Sequence, residues 1–350
     1  MRYVHPLDPA ISVVILTHNS GALIGRCLRS LLEAGLEGTE EPVEILVIDS
    51  STRDDTEAKV RPWGVPVIRC CGNVSVKRNE GLRRARGEVA VFLDSDCFAH
   101  RAWLATLVRG LCPQEQVVAV MGASVGEREN VWSELEDRSY REGFLARVRR
   151  GGELIAMDTR NLALDRLFVL GLGGFSEDQP SFEDMELGAR IRRAGYRIRY
   201  EPGAVVTHKH RTTLPAKWRQ AFWHSRGSYL YAVKHHRSPD PEVRAFCRSL
   251  RIPTILWAWF GSGLFLAVLW PLVLLRAGPW WAVPLLSAVV LVPALFNPFR
   301  VLKLAFAGSL REACFYLDVS TAQRLGVLWQ FLAERIPSAR GITYARKERD

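Results

Sequence analysis

The sequence has few cysteines and lacks the cysteine patterns that form zinc sites and disulfide frameworks. Its 350 residues contain 7 cysteines, with no C-x-x-C pair. Cys70 and Cys71 are adjacent and cannot readily bridge each other, so we expect a reducing, cytosolic setting. The N-terminal stretch "MRYVHPLDPAISVVIL" has neither the longer apolar run nor the small-residue cleavage site of a signal peptide, so we expect none.

Acidic residues are fewer than basic ones, and the formal net charge is +10 at pH 7. This excess indicates an anionic partner, such as a nucleotide, a phosphorylated lipid, a nucleic acid or an acidic membrane surface. Arginine clusters recur at 83–86, 147–150 and 190–193. None has the interleaved aromatic residues expected of a nucleic-acid-binding surface, so we predict that nucleic acid is not a partner.

Short apolar runs alternate with helical patterns from Ile11 to about Ala119. The runs "ISVVIL", "VEILVID", "VPVIRC" and "EVAVFL" predict four buried strands with helices between them. The helix over "VKRNEGLRRARG" is predicted to be closed by Gly87. Apolar strands alternating with helices are typical of an α/β fold, with a mostly parallel sheet covered by helices on both faces.

The pattern is less regular beyond Val120. The stretch "LIAMDTRNLALDRLFVLGLGGF" predicts a strand, a polar turn at 158–161, a short helix and a glycine-rich loop. The stretch "SFEDMELGARIRRAGYRIRY" predicts a helix from near Glu183 to Gly195 and then a strand. A further strand is predicted over "EPGAVVTHKH".

The C-terminal third has no charged residue between Arg251 and Arg276, or between Arg276 and Arg300. Each segment is long enough to supply the roughly 20 residues needed to span a bilayer. We therefore predict a transmembrane hairpin, with two buried core helices or a re-entrant hairpin as the alternatives. Lysine and arginine are concentrated on both flanks, which places both ends in the cytoplasm. The expected protein is a multi-pass protein of the cell membrane.

Two carboxylates follow the fourth apolar run, in "GEVAVFLDSDCFAH". If the chain stays extended, Asp94 and Asp96 point to the same side. Such a pair is unfavourable unless a cation or a hydrogen-bond donor lies between the carboxylates, and a hard divalent ion is the usual reason for the arrangement. The alternative is a solvated turn, since D-x-D also occurs by chance. Asn19 and Asp49 also follow strands, and ligands of such sheets bind at the carboxyl ends of the strands.

These segments together resemble the family-2 inverting glycosyltransferases, which use nucleotide sugars and have the GT-A fold. The resemblance covers about residues 10 to 210, through "ISVVILTHNS", "EILVIDSSTRDDT", "VKRNEGLRRARGEVAVFLDSDC" and "FEDMELGARIRRAGYRI". It implies a GT-A nucleotide-binding domain, followed here by C-terminal transmembrane and interfacial helices.

The resemblance also assigns residues that contact the donor nucleotide. These are Thr17, Asn19, Asp49, Lys77, Arg78, Asn79 and Asp94. Among them, Asp49 accepts a hydrogen bond from the base. Ser51 stands where the family commonly has glycine.

The same resemblance assigns Asp96, Asp94 and His208 to a site for Mn²⁺ or Mg²⁺. A packed or solvated histidine is the alternative for His208. Asp184, after Glu183, matches the general base that takes the proton of the acceptor hydroxyl. The alternative for these two acids is a helix N-terminus that favours negative charge. One direct displacement inverts the configuration and needs no enzyme nucleophile.

The predicted function is transfer of a sugar from a UDP- or GDP-type donor to a hydroxyl of a polyprenyl-phosphate-linked or other glycan acceptor. A processive polysaccharide synthase is an alternative, but "RQAFWHSRG" has Gln220 and Trp223 without that class's Arg-Trp pair, which favours single addition. A sugar-phosphate nucleotidyltransferase would carry a basic glycine-rich loop, and no Lys or Arg follows the first strand before Arg26. A non-catalytic sugar-nucleotide-binding protein is the third alternative.

The predicted organisation has four parts. A cytoplasmic catalytic domain spans 1–213, and an amphipathic helix region that lies on the membrane interface spans 214–250. The transmembrane hairpin spans 251–300, and amphipathic helices with a basic tail span 301–350.

Overall fold

A computed structural model gives the fold of the chain. The structure describes residues 8–145, 148–149, 151–241, 243–244 and 247. The chain divides into two compact units, Met1–Thr212 and Thr213–Asp350.

The first unit is built on one sheet of 8 strands within the described residues. In chain order these are β1 Ile11–Thr17, β2 Val43–Asp49, β3 Val67–Arg69, β4 Val89–Asp94, β5 Cys97–Ala99, β6 Val117–Gly126, β7 Asn161–Asp165 and β8 Arg197–His208. Their order across the sheet is β3-β2-β1-β4-β7-β6-β8-β5. The first four strands are parallel as predicted, and β6 is parallel to β8. Because β7 runs antiparallel to β4 and β6, and β5 antiparallel to β8, the sheet is mixed rather than mostly parallel.

Helices pack on both faces of this sheet. They are α1 Ile24–Ser30, α2 Thr56–Val60, α3 Val74–Arg84, α4 Trp103–Arg109, α5 Val131–Leu145, α6 Arg166–Gly171 and α7 Glu183–Arg193. Val13 and Ile15 of β1 belong to one apolar cluster, with side chains of α1 and α4. Val14 and Leu16 belong to the other, with side chains of α3, α6 and α7. Burial on both faces explains why these strands are continuous apolar runs.

The region around β7 differs from its prediction. The strand follows the polar turn at 158–161 instead of preceding it, and "NLALD" forms a strand rather than the start of a helix. A short apolar run has no periodicity that separates strand from helix. Here its place between β4 and β6, where it pairs with both, decides the conformation.

Gly87 does not close α3, as the sequence predicted. The helix ends at Arg84, and Ala85 after it is already extended. A Cβ at Gly87 would lie 2.7 Å from the carbonyl oxygen of Ala10. The close approach of two backbones therefore explains the glycine.

The structure contradicts the prediction of a multi-pass membrane protein. Across the described ranges, none of the helices is both long enough and apolar enough to cross a membrane. In the second unit, α8 Leu214–His235 has 22 residues but carries Lys217, Arg219, Arg226 and Lys234. The segments 251–300 and 301–350, to which the hairpin and the last helices were assigned, lie outside the described residues.

Candidate functional site

Polar side chains gather where β1, β2 and β4 end. The pairing register places Thr17 beside Asp49 and Leu16 beside Asp94. Parallel strands bring their carboxyl ends to one edge, so residues distant in sequence become neighbours. Thr17, Asp49 and Asp94 therefore lie together at the carboxyl ends of neighbouring strands.

Asp49 is fully buried and held from several sides. Its Oδ1 accepts hydrogen bonds from the hydroxyls of Thr17 at 2.7 Å and Ser51 at 2.6 Å, and from the amide of Ser51 at 3.0 Å. Its Oδ2 accepts a hydrogen bond from Arg69, whose guanidinium also donates to the Ser51 carbonyl. Arg69 was not singled out from the sequence. Its side chain is 57% exposed and lies beside Asp49, where β2 ends.

Asn19 organises the loop that follows β1. It has a left-handed backbone, with φ of 50°, which Asn tolerates better than most residues. Its side-chain oxygen accepts hydrogen bonds from the amides of Thr52 and Arg53, at 3.0 and 3.1 Å. The backbone amide of Asn19 donates a hydrogen bond to the Ser51 hydroxyl at 2.8 Å. Ser51 therefore joins the two loops through a bond that glycine cannot make.

The three donor-side residues predicted on α3 have different surroundings. Lys77 donates to the Ser50 hydroxyl at 3.0 Å, beside the loop after β2. Arg78 is buried, pairs with Glu183 and lies 3.9 Å from the Asp94 carboxylate. The side-chain amide of Asn79 makes two hydrogen bonds with the backbone of Phe175. Its nitrogen donates to the Phe175 carbonyl at 2.9 Å, and its oxygen accepts from the Phe175 amide at 2.8 Å. In this structure Asn79 therefore supports the loop before α7.

Asp94 and Asp96 do not share an extended strand, as the sequence argument assumed. β4 ends at Asp94, residues 95–96 form a turn, and β5 begins at Cys97. The turn still leaves the carboxylates close enough to interact. Loss of hydration and the charges of Asp96 and Asp158 raise the pKa of Asp94 to about 6, against the opposing effect of Arg78. This concentration of negative charge would be relieved by a cation.

His208 joins Asp96 at the other side of the turn. β5 and β8 pair Cys97 with His208, which brings His208 Nε2 to 3.5 Å from Asp96 Oδ2. Ligand atoms of Asp96, Cys97 and His208 lie within 4.8 Å of one another. Burial raises the pKa of the Cys97 thiol well above its ordinary value, so the available donors are a carboxylate and an imidazole. Such donors suit Mn²⁺, and carboxylates also suit Mg²⁺.

An ion pair that the sequence argument missed lies next to His208. Arg160 binds both oxygens of Asp158, at 3.0 and 2.8 Å, and lies over the Tyr140 ring at 4.3 Å. Its Nη1 is 3.3 Å from His208 Nδ1. Burial opposes ionisation of Asp158, but Arg160 lowers its pKa to about 2. In the sequence, Asp158 and Arg160 are indicated only by the predicted polar turn at 158–161. A polar turn does not show which distant residue, here His208, its side chains will contact.

Glu183 and Asp184 begin α7, as predicted. Phe182 before them has φ of 65°, an uncommon conformation for a bulky residue that turns the chain into the helix. Glu183 is buried against Arg78. Burial, followed by the charges of Glu183 and Asp158, raises the pKa of Asp184 to about 8. A carboxyl with a pKa near neutrality can both take and hold a proton at physiological pH.

The fold is GT-A-like, with a mixed sheet flanked by helices. The structure resembles that of the mannosyltransferase PcManGT from Pyrobaculum calidifontis, with a TM-score of 0.59 and 22% identity. The match covers 91% of this chain and 87% of that one.

Residues 12–169 match the family model described as Glycosyl transferase family 2. The chain is 34% identical over 175 residues to the pre-mycofactocin glycosyltransferase of Mycobacterium tuberculosis, and this alignment covers 47% of the chain. The aligned part spans only 36% of that relative. A second relative, the O-antigen chain rhamnosyltransferase WbaN of Salmonella anatum, is 24% identical over 61% of this chain and 70% of its own.

Proposed function

We propose that the chain is a metal-dependent glycosyltransferase that moves a sugar from a nucleotide sugar to an acceptor hydroxyl, with inversion at the anomeric carbon. One observation carries this proposal. Arg78 lies 3.9 Å from Asp94 on the donor side and pairs with Glu183, beside Asp184, on the acceptor side. The buried guanidinium of Arg78 therefore interacts with both sets of acidic residues, which form one continuous site.

The nucleoside end of the donor is assigned to Thr17, Asn19 and Asp49, at the edge where β1 and β2 end. Lys77 is beside the loop after β2, where its ammonium can reach a diphosphate. The donor is a UDP- or GDP-type sugar. The names of the two relatives, both sugar transferases, support the transfer of a sugar.

Asp96, His208 and Asp94 are the proposed ligands of Mn²⁺ or Mg²⁺. A divalent cation bound there would offset the negative charge that develops on the departing nucleoside diphosphate. Burial opposes ionisation of Asp96, but nearby positive charges, those of Arg211 and Arg160 among them, lower its pKa and favour the carboxylate that ligation requires. Burial and the charge of Arg160 lower the pKa of His208, which favours the neutral imidazole that ligation requires.

Asp184 is the proposed general base. The acceptor oxygen attacks the anomeric carbon, the bond from that carbon to the diphosphate oxygen breaks, and the acceptor proton passes to Asp184. The neighbouring Glu183 stays paired with Arg78 and adds the negative charge that makes Asp184 a stronger base. No enzyme nucleophile takes part, so the product has the inverted configuration.

We propose a single addition per binding event, because Gln220 and Trp223 occur without an Arg-Trp pair. The acceptor is a hydroxyl compound. The expectation of a lipid-linked glycan depends on the hairpin at 251–300, which lies outside the described residues. Lipid-linked and free glycans should therefore both be tested as acceptors.

The test is a screen of the purified chain against UDP-, GDP- and dTDP-sugars, with and without Mn²⁺ and with both classes of acceptor. We expect metal-dependent release of nucleoside diphosphate from one donor type. Transfer that persists fully in a chelator would contradict the metal assignment. A product that retains the donor's anomeric configuration would contradict direct displacement.

A further inference from the structure

A second histidine, His210, lies directly behind His208. It is only 3% exposed, and its ring meets the His208 ring edge to face, with centroids 4.6 Å apart. The Nδ1 atoms of the two rings are 3.2 Å apart, within hydrogen-bond distance. Because both atoms are ring nitrogens, one must carry a proton and donate, and the other must accept.

The His210 ring has little freedom to move. Gly126 packs against it so closely that a Cβ there would lie 2.3 Å from His210 Cδ2. Asp137 of α5 accepts a hydrogen bond from the Gly126 amide at 2.7 Å and lies 3.7 Å from His210 Nε2. Glu136 is 3.6 Å from His210 Nδ1. Both carboxylates lie beyond hydrogen-bond distance of the ring, and His210 Nδ1 lies closer to His208 Nδ1 than to Glu136.

Two neighbours compete for the same nitrogen of His208. Arg160 Nη1 lies 3.3 Å from His208 Nδ1, and a guanidinium can only donate. The Arg160 bond therefore requires a lone pair on His208 Nδ1 and a proton on Nε2. That tautomer directs an N–H at Asp96 and leaves no lone pair on Nε2. The His210 contact allows the opposite tautomer, in which Nδ1 donates and Nε2 is free to bind a cation.

We propose that His210 is a positioning residue that selects the metal-binding tautomer of His208. It accepts the Nδ1 proton of His208, so the Nε2 lone pair points beside Asp96. The inference rests on the proposed function, since it assumes that His208 is a metal ligand. Arg160 loses little when this tautomer forms, because Asp158 and the Tyr140 ring still hold its guanidinium.

The test compares His210→Asn with His210→Gln in Mn²⁺ titration calorimetry on the full chain, without donor. An Asn amide oxygen can occupy the position of His Nδ1, whereas a Gln amide reaches the position of Nε2. We expect His210→Gln to weaken Mn²⁺ binding about 10- to 100-fold, the usual effect of losing a partner of a ligand histidine. His210→Asn is expected to stay within about threefold of the wild type on the same argument.

A spectroscopic measurement separates positioning from general damage to the fold. Pulsed electron paramagnetic resonance of bound Mn²⁺ detects a directly bonded nitrogen, and we expect this coupling in the wild type and in His210→Asn. His210→Gln should lose it while the circular dichroism spectrum is unchanged. His100→Asn is the matched control, because His100 is exposed and bonds Thr207 instead, and it should leave Mn²⁺ affinity unaltered.

The Asp96→Ala variant distinguishes failure of this inference from failure of the metal site. If Asp96→Ala weakens Mn²⁺ binding and His210→Gln does not, the site stands and the role of His210 is overturned. If neither changes Mn²⁺ binding, or the wild type shows no nitrogen coupling, the assignment of His208 as a ligand is wrong and the inference falls with it.

Discussion

Replacing Asp184 by Asn should abolish transfer and at the same time stabilise the protein. The substitution removes a charge and keeps the shape of the side chain. The Asn oxygen can still accept the hydrogen bond that Asp184 Oδ1 takes from the Met185 amide at 2.8 Å. Donor binding should survive, because the proposed donor contacts of Thr17 and Asp49 lie at the strand edge.

The expected gain in stability follows from the raised pKa of Asp184. The pKa is raised from 3.8 to about 8, first by burial and then by Glu183 and Asp158. A carboxyl with a raised folded-state pKa destabilises the folded state above its unfolded-state pKa, and the penalty grows as pH rises towards the folded-state value. At about 1.4 kcal/mol per pH unit the ceiling at pH 7 is about 4 kcal/mol. Local rearrangement reduces this, so we expect a gain of at least about 1 kcal/mol, or about 2–4 °C in Tm.

The assay is thermal unfolding of the wild type and Asp184→Asn at pH 4, 6 and 8, beside transfer at saturating donor. The difference in Tm should be near zero at pH 4 and largest at pH 8, with transfer lost throughout. Asp55→Asn is a control for the chemistry of the substitution, because Asp55 is exposed and its ion pair with Lys59 is a surface contact. It should change stability by no more than about 0.5 kcal/mol at any pH.

Two results would refute this reasoning. Near-normal transfer by Asp184→Asn would show that another group removes the acceptor proton. A variant that is less stable than the wild type at pH 8 would show that Asp184 is a structural carboxylate, whose ionised form stabilises the helix start.

Three further substitutions test neighbouring parts of the site. Glu183→Gln should move the acidic limb of the pH–rate profile for kcat/KM to lower pH, because it removes a negative charge that raises the pKa of Asp184; an unmoved limb would contradict the coupling. Asp96→Ala should abolish the Mn²⁺-dependent part of donor binding in calorimetry, and equal donor affinity with and without Mn²⁺ in the wild type would argue against the site. Ser51→Gly should cost about 1–3 kcal/mol in urea unfolding, because the hydroxyl bonds to Asp49 and the Asn19 amide are lost. A change below about 0.5 kcal/mol would show that the serine is a passive replacement.

Sequence patterns located the parts of the fold that local chemistry determines. β1, β2 and β4 are apolar because each is buried on both faces, and this property is visible in the sequence. β7 was not recognised, since its conformation depends on pairing with β4 and β6, which are distant in sequence. The sheet is mixed because of this strand and because of β5, which runs antiparallel to β8.

The candidate site was predicted unevenly, for a similar reason. Carboxylates at the ends of strands, such as Asp49 and Asp94, were found because the edge of an α/β sheet is where such strands end. Arg160 and His210 were not singled out, because their roles come from contacts with His208 across β7, β8 and α5. No spacing in the sequence encodes those contacts.

The central claim is tested most directly by one measurement, proton NMR of the reaction with the preferred sugar nucleotide and acceptor in the presence of Mg²⁺. The anomeric signals of donor and product are followed in time for the wild type and Asp96→Ala. We predict a transferred sugar of inverted configuration, formed by the wild type and lost in a chelator and in Asp96→Ala. Transfer with retained configuration, or transfer that Asp96→Ala leaves unchanged, would contradict the account.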